Sequence, residues 1–122
     1  MSTKLSPNFT LEEMIFSQTA ARRGISNVPG KEHMEALKYT AAGMEQVRAL
    51  LGNKSIRVSS GYRSPALNKA IGGSTTSQHS KGEAVDFSCD GFGTPLEICH
   101  AIRNSKIAFD QLIFEGTWVR IS

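Results

Sequence analysis

Apolar residues recur every three or four positions in the first half of the chain, which is the spacing of one face of an α-helix. A capping box at Thr10–Glu13 begins a helix that we expect to continue to about Arg23, where Gly24 ends it. A second, longer helix follows a loop and ends at Gly52-Asn53. We interpret its apolar stripe as core packing, and the stripe comprises Met34, Leu37, Ala41, Met44, Val47 and Leu51.

Alternation of apolar and polar residues predicts strands in the second half of the chain. The alternating runs cover residues 55–60, 83–87, 110–114 and 117–121. Two shorter helices separate them, one starting at Ser64-Pro65 and ending at Ile71, the other starting at the capping box Thr94–Glu97 and reaching Asn104. We therefore expect a single α+β domain over residues 1–122, with helices packed on one face of a small, mainly antiparallel sheet.

The last two strand-like runs are separated by Glu115-Gly116, a pair typical of a tight β-hairpin. This turn places Gln111 opposite Arg120 and Ile113 opposite Trp118. Because side chains alternate along a strand, Glu115, Trp118 and Arg120 are expected on the same side of the hairpin.

Composition and charge narrow the possible partners. With 122 residues, 39% hydrophobic and 20% charged, the chain has the make-up of one soluble globular domain. Fourteen Lys and Arg against eleven Asp and Glu give a net charge of +3, which suits a polyanionic cell wall but is far below a nucleic-acid-binding signature. We expect a monomer that binds no nucleic acid.

The sequence has no pattern of a signal peptide and no segment long enough to span a membrane. We therefore expect a protein made in the cytoplasm that acts at the cell wall if it is released. Cys89 and Cys99 are ten residues apart, and we expect free thiols because disulfides are scarce in a reducing cytoplasm.

His79 and Asp86 are candidates for a metal site, seven positions apart with Gly82 between them. Seven fully extended residues would hold the two side chains roughly 23 Å apart, so they can share a metal only if the chain turns back. Glycine makes such a turn at low cost. An imidazole and a carboxylate begin a zinc site, which also needs a third protein ligand and an open position. The alternative is a loop histidine and an exposed aspartate without a metal.

Other candidate features have simpler interpretations. The segment Gly72–Thr76 lacks the strand–loop–helix frame and the Gly-Lys-Ser/Thr of a phosphate-binding loop, so we expect it to be the mobile lip of a cleft. His33 and His100 lie on predicted helices, and we expect them at the edge of the core or in solvent rather than on a metal.

Three short motifs occur in order along the chain: Ser60–Ser64 (Ser-Gly-Tyr-Arg-Ser), residues 77–86 with the pattern Ser-x-His-x-x-Gly-x-Ala-x-Asp, and the closing run Trp118–Ser122. Together they resemble the zinc D-Ala-D-Ala carboxypeptidases and related phage endolysin peptidases, a family whose fold is shared by the hedgehog signalling domain. The resemblance covers roughly residues 8–122.

The resemblance implies a role for each matching position. His79 and Asp86 would be zinc ligands, and Arg63 would bind a substrate carboxylate or polarise the carbonyl under attack. Glu115 would be the general base of hydrolysis. His79 and Asp86 would lie at the floor of a cleft, with Arg63 and Glu115 on its walls. Further substrate-binding positions would be Ser77, Gln78 and Trp118.

The chain departs from this family at Arg120. The family's closing strand reads Trp-x-His, and that histidine is the third zinc ligand. Arginine has no lone pair to donate and keeps its positive charge. Neither His33 nor His100 is placed to substitute, so we expect zinc to bind weakly or not at all.

Two functions follow from the resemblance. The first is a zinc metallopeptidase that hydrolyses amide bonds in peptidoglycan peptide stems during cell-wall lysis or remodelling, and that is encoded by a phage or prophage. The alternative is an inactive homologue or inactivated variant that binds wall peptide or a protein partner, with Arg120 paired to Asp86 or Glu115. The sequence does not distinguish a carboxypeptidase from an endopeptidase.

Overall fold

Five α-helices and six β-strands make up the part of the chain that the structure describes. The structure, a computed structural model, describes residues 3–122. Its helices are α1 Leu11–Ile15, α2 Gln18–Arg23, α3 Lys31–Leu50, α4 Pro65–Ala70 and α5 Pro95–Arg103, with a 3-10 turn at Gln78–Lys81. Its strands are β1 Lys4–Ser6, β2 Phe9–Thr10, β3 Arg57–Ser60, β4 Val85–Ser88, β5 Leu112–Phe114 and β6 Val119–Ile121.

Four strands form an antiparallel sheet in the order β3-β4-β6-β5. The sheet contains the four strand regions expected from the alternating pattern, although each strand is shorter than its run. Asp86 of β4 lies directly opposite Arg120 of β6. The α+β fold with a small antiparallel sheet is therefore confirmed.

The two faces of this sheet have different environments, because successive side chains of a strand point to opposite faces. One face is apolar and packs into the core: Val85, Phe87, Val119 and Ile121 are buried there. The helices contribute the other side of the same core, with Met14, Leu37, Ala41, Met44, Val47, Ile98 and Ile102. The opposite face carries Asp86 and Arg120, which belong to the candidate site.

Most predicted helix ends are confirmed by their caps. Gly24 ends α2 in the left-handed conformation with φ 64°. The Ser64 hydroxyl accepts the N–H of Leu67 at the start of α4. At the start of α5, Thr94 and Glu97 form both hydrogen bonds of a capping box.

The prediction of one helix from Thr10 to Arg23 is wrong, because the chain leaves the helix at Phe16, whose ψ is 133°. Ser17 then caps a second helix by accepting the N–H of Ala20 at 3.2 Å. The break leaves two carbonyls of α1 without helical partners, and residues far along the chain satisfy them. Met14 O accepts the N–H of Tyr62, and Ile15 O accepts the side-chain amide of Asn27.

The predicted hairpin register is also wrong. Glu115 N–H donates to Trp118 O at 3.0 Å, so the turn begins one residue later, at Gly116, whose φ is 90°. Ile113 consequently lies opposite Arg120 instead of Trp118. Each residue of the first strand pairs with a residue two positions later than predicted. A shift by an even number of residues keeps every side chain on its face, so Glu115, Trp118 and Arg120 still belong to the same side of the hairpin.

The amino-terminal strands β1 and β2 form a separate two-stranded sheet that was not predicted. Glu45 of α3 holds this hairpin, since its carboxylate accepts hydrogen bonds from the Ser6 hydroxyl at 2.6 Å and from the Asn8 backbone N–H at 2.7 Å. The Asn8 side-chain amide adds a third bond at 2.8 Å.

Both cysteines, Cys89 and Cys99, are free thiols, as expected. Burial raises the pKa of Cys99. Within residues 3–122, no helix combines the length and apolar character needed to cross a membrane.

Candidate functional site

His79 is placed by a short turn and held by one strong hydrogen bond. The Ser77 hydroxyl accepts the N–H of His79, and Gly82 reverses the chain with φ 73°, as the sequence predicted. The imidazole is 2% exposed, and its Nδ1 lies 2.7 Å from the carbonyl oxygen of Gly61. Because a carbonyl oxygen can only accept, Nδ1 carries a proton.

The other ring nitrogen of His79 points at Asp86. Nε2 lies 3.3 Å from Asp86 Oδ1. It is buried and makes no hydrogen bond within residues 3–122. The turn at Gly82 has therefore brought together the two residues that are seven positions apart in the sequence.

Arg120 binds Asp86 through both carboxylate oxygens. Arg120 Nε donates to Oδ1 at 2.8 Å, and a terminal guanidinium nitrogen donates to Oδ2 at 3.2 Å. The pairing in register of β4 with β6 places the two side chains opposite each other. The expectation that Arg120 pairs with Asp86 or Glu115 is confirmed for Asp86.

The pKa of Asp86 reflects both its burial and its partners. Burial by itself raises the pKa of this carboxyl, but the contact with His79 and the hydrogen bonds and charge of Arg120 outweigh it. The pKa of Asp86 is therefore below its ordinary value. The pKa of Arg120 is raised, chiefly by its hydrogen bonds to Asp86. The pair is charged at neutral pH.

Arg63 is a second guanidinium close to this ion pair. Its pKa is lowered, first by burial and also by the positive charge of Arg120, although the charge of Asp86 acts in the opposite direction. Its Nε is buried and has no hydrogen-bond partner among residues 3–122. Arg63 thus carries a donor that the protein itself does not satisfy.

The segment that carries Arg63 is fixed by contacts that the sequence did not reveal. The Arg63 backbone N–H donates to the carbonyl oxygen of His79 at 3.0 Å. The buried Asn27 donates to the carbonyl oxygen of Tyr62 at 3.0 Å and accepts the N–H of Ser64 at 2.7 Å. Asn27 therefore holds both neighbours of Arg63.

Glu115 and Trp118 lie beside Arg120 on the hairpin. Glu115 is partly exposed, and its negative charge helps raise the pKa of Arg120. The indole Nε1 of half-buried Trp118 is a second buried donor without a partner. The general-base role of Glu115 and the substrate-binding role of Trp118 stay predictions.

Ser77 and Gln78 have structural contacts of their own. Besides capping the turn of His79, Ser77 is only partly exposed. The Gln78 amide donates to Asp110 Oδ2 at 2.8 Å, which ties the turn to the loop before β5. Their contact with a substrate stays a prediction.

Two cavities adjoin the site from different sides. One, of about 480 Å³, is lined by Arg63, Ser60 and Tyr62 together with residues of α2 and β3. The other, of about 660 Å³, lies along α3 and includes Gln78 and Asp110. His79, Asp86 and Arg120 are not among the residues that line these two cavities. His79 and Asp86 are buried, whereas the Arg120 side chain is partly exposed.

His33 and His100 lie away from the ion pair. The ring of His33 packs against that of Tyr62, with 5.4 Å between centroids. His100 is exposed on α5. The structure gives neither histidine a contact with Asp86.

Comparison with known proteins identifies the family. The family model described as peptidase M15 matches residues 7–118. The chain belongs to the peptidase M15 family. Comparison with curated proteins gives no match. The M15 family is one of zinc peptidases. The match covers the first two motifs and ends at Trp118, the first residue of the third.

The residues present do not fit the zinc ion that M15 peptidases use. His79 alone has the geometry of a ligand, because an Nδ1–H bonded to a carbonyl leaves Nε2 free to bind a metal. Asp86 has both oxygens engaged by Arg120, and arginine cannot be a ligand. Within residues 3–122, no group of three or more His, Cys, Asp or Glu side chains is arranged to hold a metal ion.

Proposed function

We propose that this M15 domain recognises the peptide stems of bacterial cell-wall peptidoglycan, and that the sequence as it stands binds them without zinc-dependent hydrolysis. The membership in the M15 family supports the substrate class. The paired state of Asp86 supports binding in place of hydrolysis, because the carboxylate that should hold the metal is occupied by Arg120.

The observation that carries the proposal is the unsatisfied donor of Arg63. A buried N–H without a partner costs free energy, so a partner from outside the protein is favourable there. Arginine presents a planar fork of donors that matches a carboxylate. Stem peptides end in a carboxylate, and Arg63 is one of the residues that line the cavity of about 480 Å³.

A second candidate is a zinc peptidase of the carboxypeptidase or endolysin kind, encoded by a phage or prophage. The family match favours it, and so do His79, Asp86 and Glu115, which occupy the family's motif positions. For this chain to be active, zinc would have to displace Arg120 from Asp86. The two candidates differ in whether the peptide is cleaved.

A titration with a synthetic stem peptide ending in D-Ala-D-Ala tests the proposal. Followed by heteronuclear NMR, the unmodified protein should bind the peptide saturably, and Arg63→Gln should lose at least about tenfold in affinity, since charge-assisted bonds are the strong ones. The same peptide with an amidated carboxyl end should bind as poorly. Arg22→Gln, a change at an exposed position of α2, should bind like the unmodified protein.

Mass spectrometry of the same mixtures separates the two candidates. An intact peptide after prolonged incubation with zinc supports binding without hydrolysis. Cleavage that a chelator abolishes would establish the zinc peptidase. Equal affinity for the free and amidated peptides would contradict docking of the carboxylate on Arg63.

A further inference from the structure

We propose that the Arg120 guanidinium takes the place of the metal ion in this chain, so that the pocket of His79 and Asp86 is complete without zinc. This inference goes beyond the proposed function, because it concerns what stabilises the pocket and holds whether or not a peptide binds there. It rests on the contacts of three side chains.

The first argument is the geometry of the ion pair. Arg120 binds both oxygens of Asp86, at 2.8 and 3.2 Å, so the carboxylate has no oxygen left without a cationic partner. Two parallel N–H···O bonds between a guanidinium and a carboxylate are among the stronger contacts in proteins. A zinc ion approaching Asp86 would have to break both.

The second argument is charge. The carboxylate of Asp86 is about nine-tenths buried and requires a positive partner there, since a buried charge without one is costly. Arg120 supplies one positive charge, and Arg63 adds another nearby. A dication in the same pocket would lie beside two guanidinium groups, and their repulsion opposes its binding.

The third argument is that the rest of the ligand geometry is intact. His79 keeps its Nδ1 bonded to the Gly61 carbonyl at 2.7 Å, which is the arrangement that orients a histidine ligand. Its Nε2 is directed at Asp86 from 3.3 Å without a hydrogen bond. A single residue, Arg120, therefore separates this pocket from a His-Asp-His site.

Zinc titration of the metal-free protein, with a competing chelator dye, tests the inference. The unmodified chain should bind no stoichiometric zinc. Arg120→His should bind one zinc per chain, with an affinity at least about 100-fold higher, because even outer partners of a ligand are worth 10–100-fold. Asp86→Asn in the Arg120→His background should abolish this gain.

A matched control places the new histidine elsewhere. Arg22→His adds the same side chain at an exposed position of α2 and should bind zinc no better than the unmodified protein. Circular dichroism of each variant shows whether it is folded. The inference is overturned by stoichiometric zinc in the unmodified chain that Asp86→Asn removes. It is also overturned by a folded Arg120→His protein that gains less than about tenfold in affinity.

Thermal unfolding gives a readout that is independent of zinc affinity and of peptide binding. The melting temperature of the unmodified protein should be the same with zinc and with a chelator. Arg120→Met should melt at a lower temperature, because Asp86 loses its partner, and zinc should not restore it. Arg120→His should melt lower without zinc and recover with it, since a ligand that binds only the folded state stabilises it. An unchanged melting temperature for Arg120→Met would show that the guanidinium does not stabilise the pocket.

Discussion

Gly61 lies between His79 of the candidate site and the end of α1. Its carbonyl oxygen accepts the Nδ1–H of His79, which fixes the ring. A Cβ atom at this position would collide with the carbonyl group of Met14 at the end of α1. Glycine is therefore required for close approach of two chain segments, a use that glycine serves in many proteins.

We expect Gly61→Ala to lower the free energy of unfolding by about 1–3 kcal/mol, because either the Met14 carbonyl or the segment before Arg63 must move. Urea denaturation followed by circular dichroism measures the change. The same change at Gly43, where a Cβ meets no atom within 4 Å, should raise the free energy of unfolding by about 0.5–1 kcal/mol, since Gly43 lies inside α3. A Gly61→Ala protein as stable as the original would show that the approach is not tight.

The sequence named candidate side chains for the site but not the residues that hold them. His79 and Asp86 were recognisable from one short motif, and Arg120 from the resemblance of the closing strand to the Trp-x-His of the peptidase family. Asn27 and Gly61 were not, because their contacts join segments far apart in the chain: Asn27 bonds to Tyr62, 35 residues away. A single asparagine in a loop gives no pattern from which such a contact could be predicted.

At the scale of secondary-structure elements, too, contacts between distant segments could not be predicted from the sequence. The break between α1 and α2 was missed because good helix formers occupy both ends of the segment from Leu11 to Arg23. The carbonyls of Met14 and Ile15 instead bond to Tyr62 and Asn27, a tertiary contact that outweighs helix propensity. Ser17, which caps α2, was the one local signal of this break.

The β1–β2 hairpin depends on the carboxylate of Glu45. We expect Glu45→Gln to lower the free energy of unfolding by about 1 kcal/mol at neutral pH, because the partly exposed carboxylate accepts three hydrogen bonds that an amide cannot all accept. Glu35→Gln on the same helix is the matched control. Glu35 forms an exposed ion pair with Lys38, and such pairs are worth little.

The pH dependence of Glu45 has a definite sign. Burial raises the pKa of the Glu45 carboxyl, but its hydrogen bonds to Ser6 and Asn8 lower this pKa by a larger amount. The pKa of Glu45 in the folded state is therefore below the ordinary value. The stabilisation is therefore fully present above the ordinary pKa and is lost as the pH falls through the folded pKa. The difference in stability between Glu45→Gln and the original protein should shrink in acid. A difference that stays constant down to the acid limit of the folded state would contradict this assignment.

At the scale of the whole molecule, the two faces of the sheet differ in the side chains that they carry. One face packs Val85, Phe87, Val119 and Ile121 into the core. The opposite face carries Asp86 and Arg120. Arg63 and Arg120 both bring a positive charge near Asp86. Arg120 forms hydrogen bonds to that carboxylate, whereas the Nε of Arg63 has no hydrogen-bond partner within residues 3–122. The two arginines should therefore contribute to stability with different signs.

We expect Arg120→Met to lower the free energy of unfolding by about 2 kcal/mol. Breaking a fully buried pair costs about 3–5 kcal/mol, and the Arg120 side chain remains 31% exposed, which reduces the loss. Arg63→Met should leave stability unchanged or raise it slightly. Burial lowers the pKa of Arg63, which means that the folded state disfavours its charge, whereas the pKa of Arg120 is raised.

Urea denaturation of both variants at neutral pH, together with the stem-peptide titration, measures this contrast. Arg63→Met should keep its stability and lose peptide binding. This is expected of a residue whose hydrogen-bond donor contributes to ligand binding and not to folding stability. If Arg63→Met instead lost as much stability as Arg120→Met, Arg63 would have to be a structural partner of Asp86. Its unsatisfied Nε would then no longer support a role in binding a carboxylate.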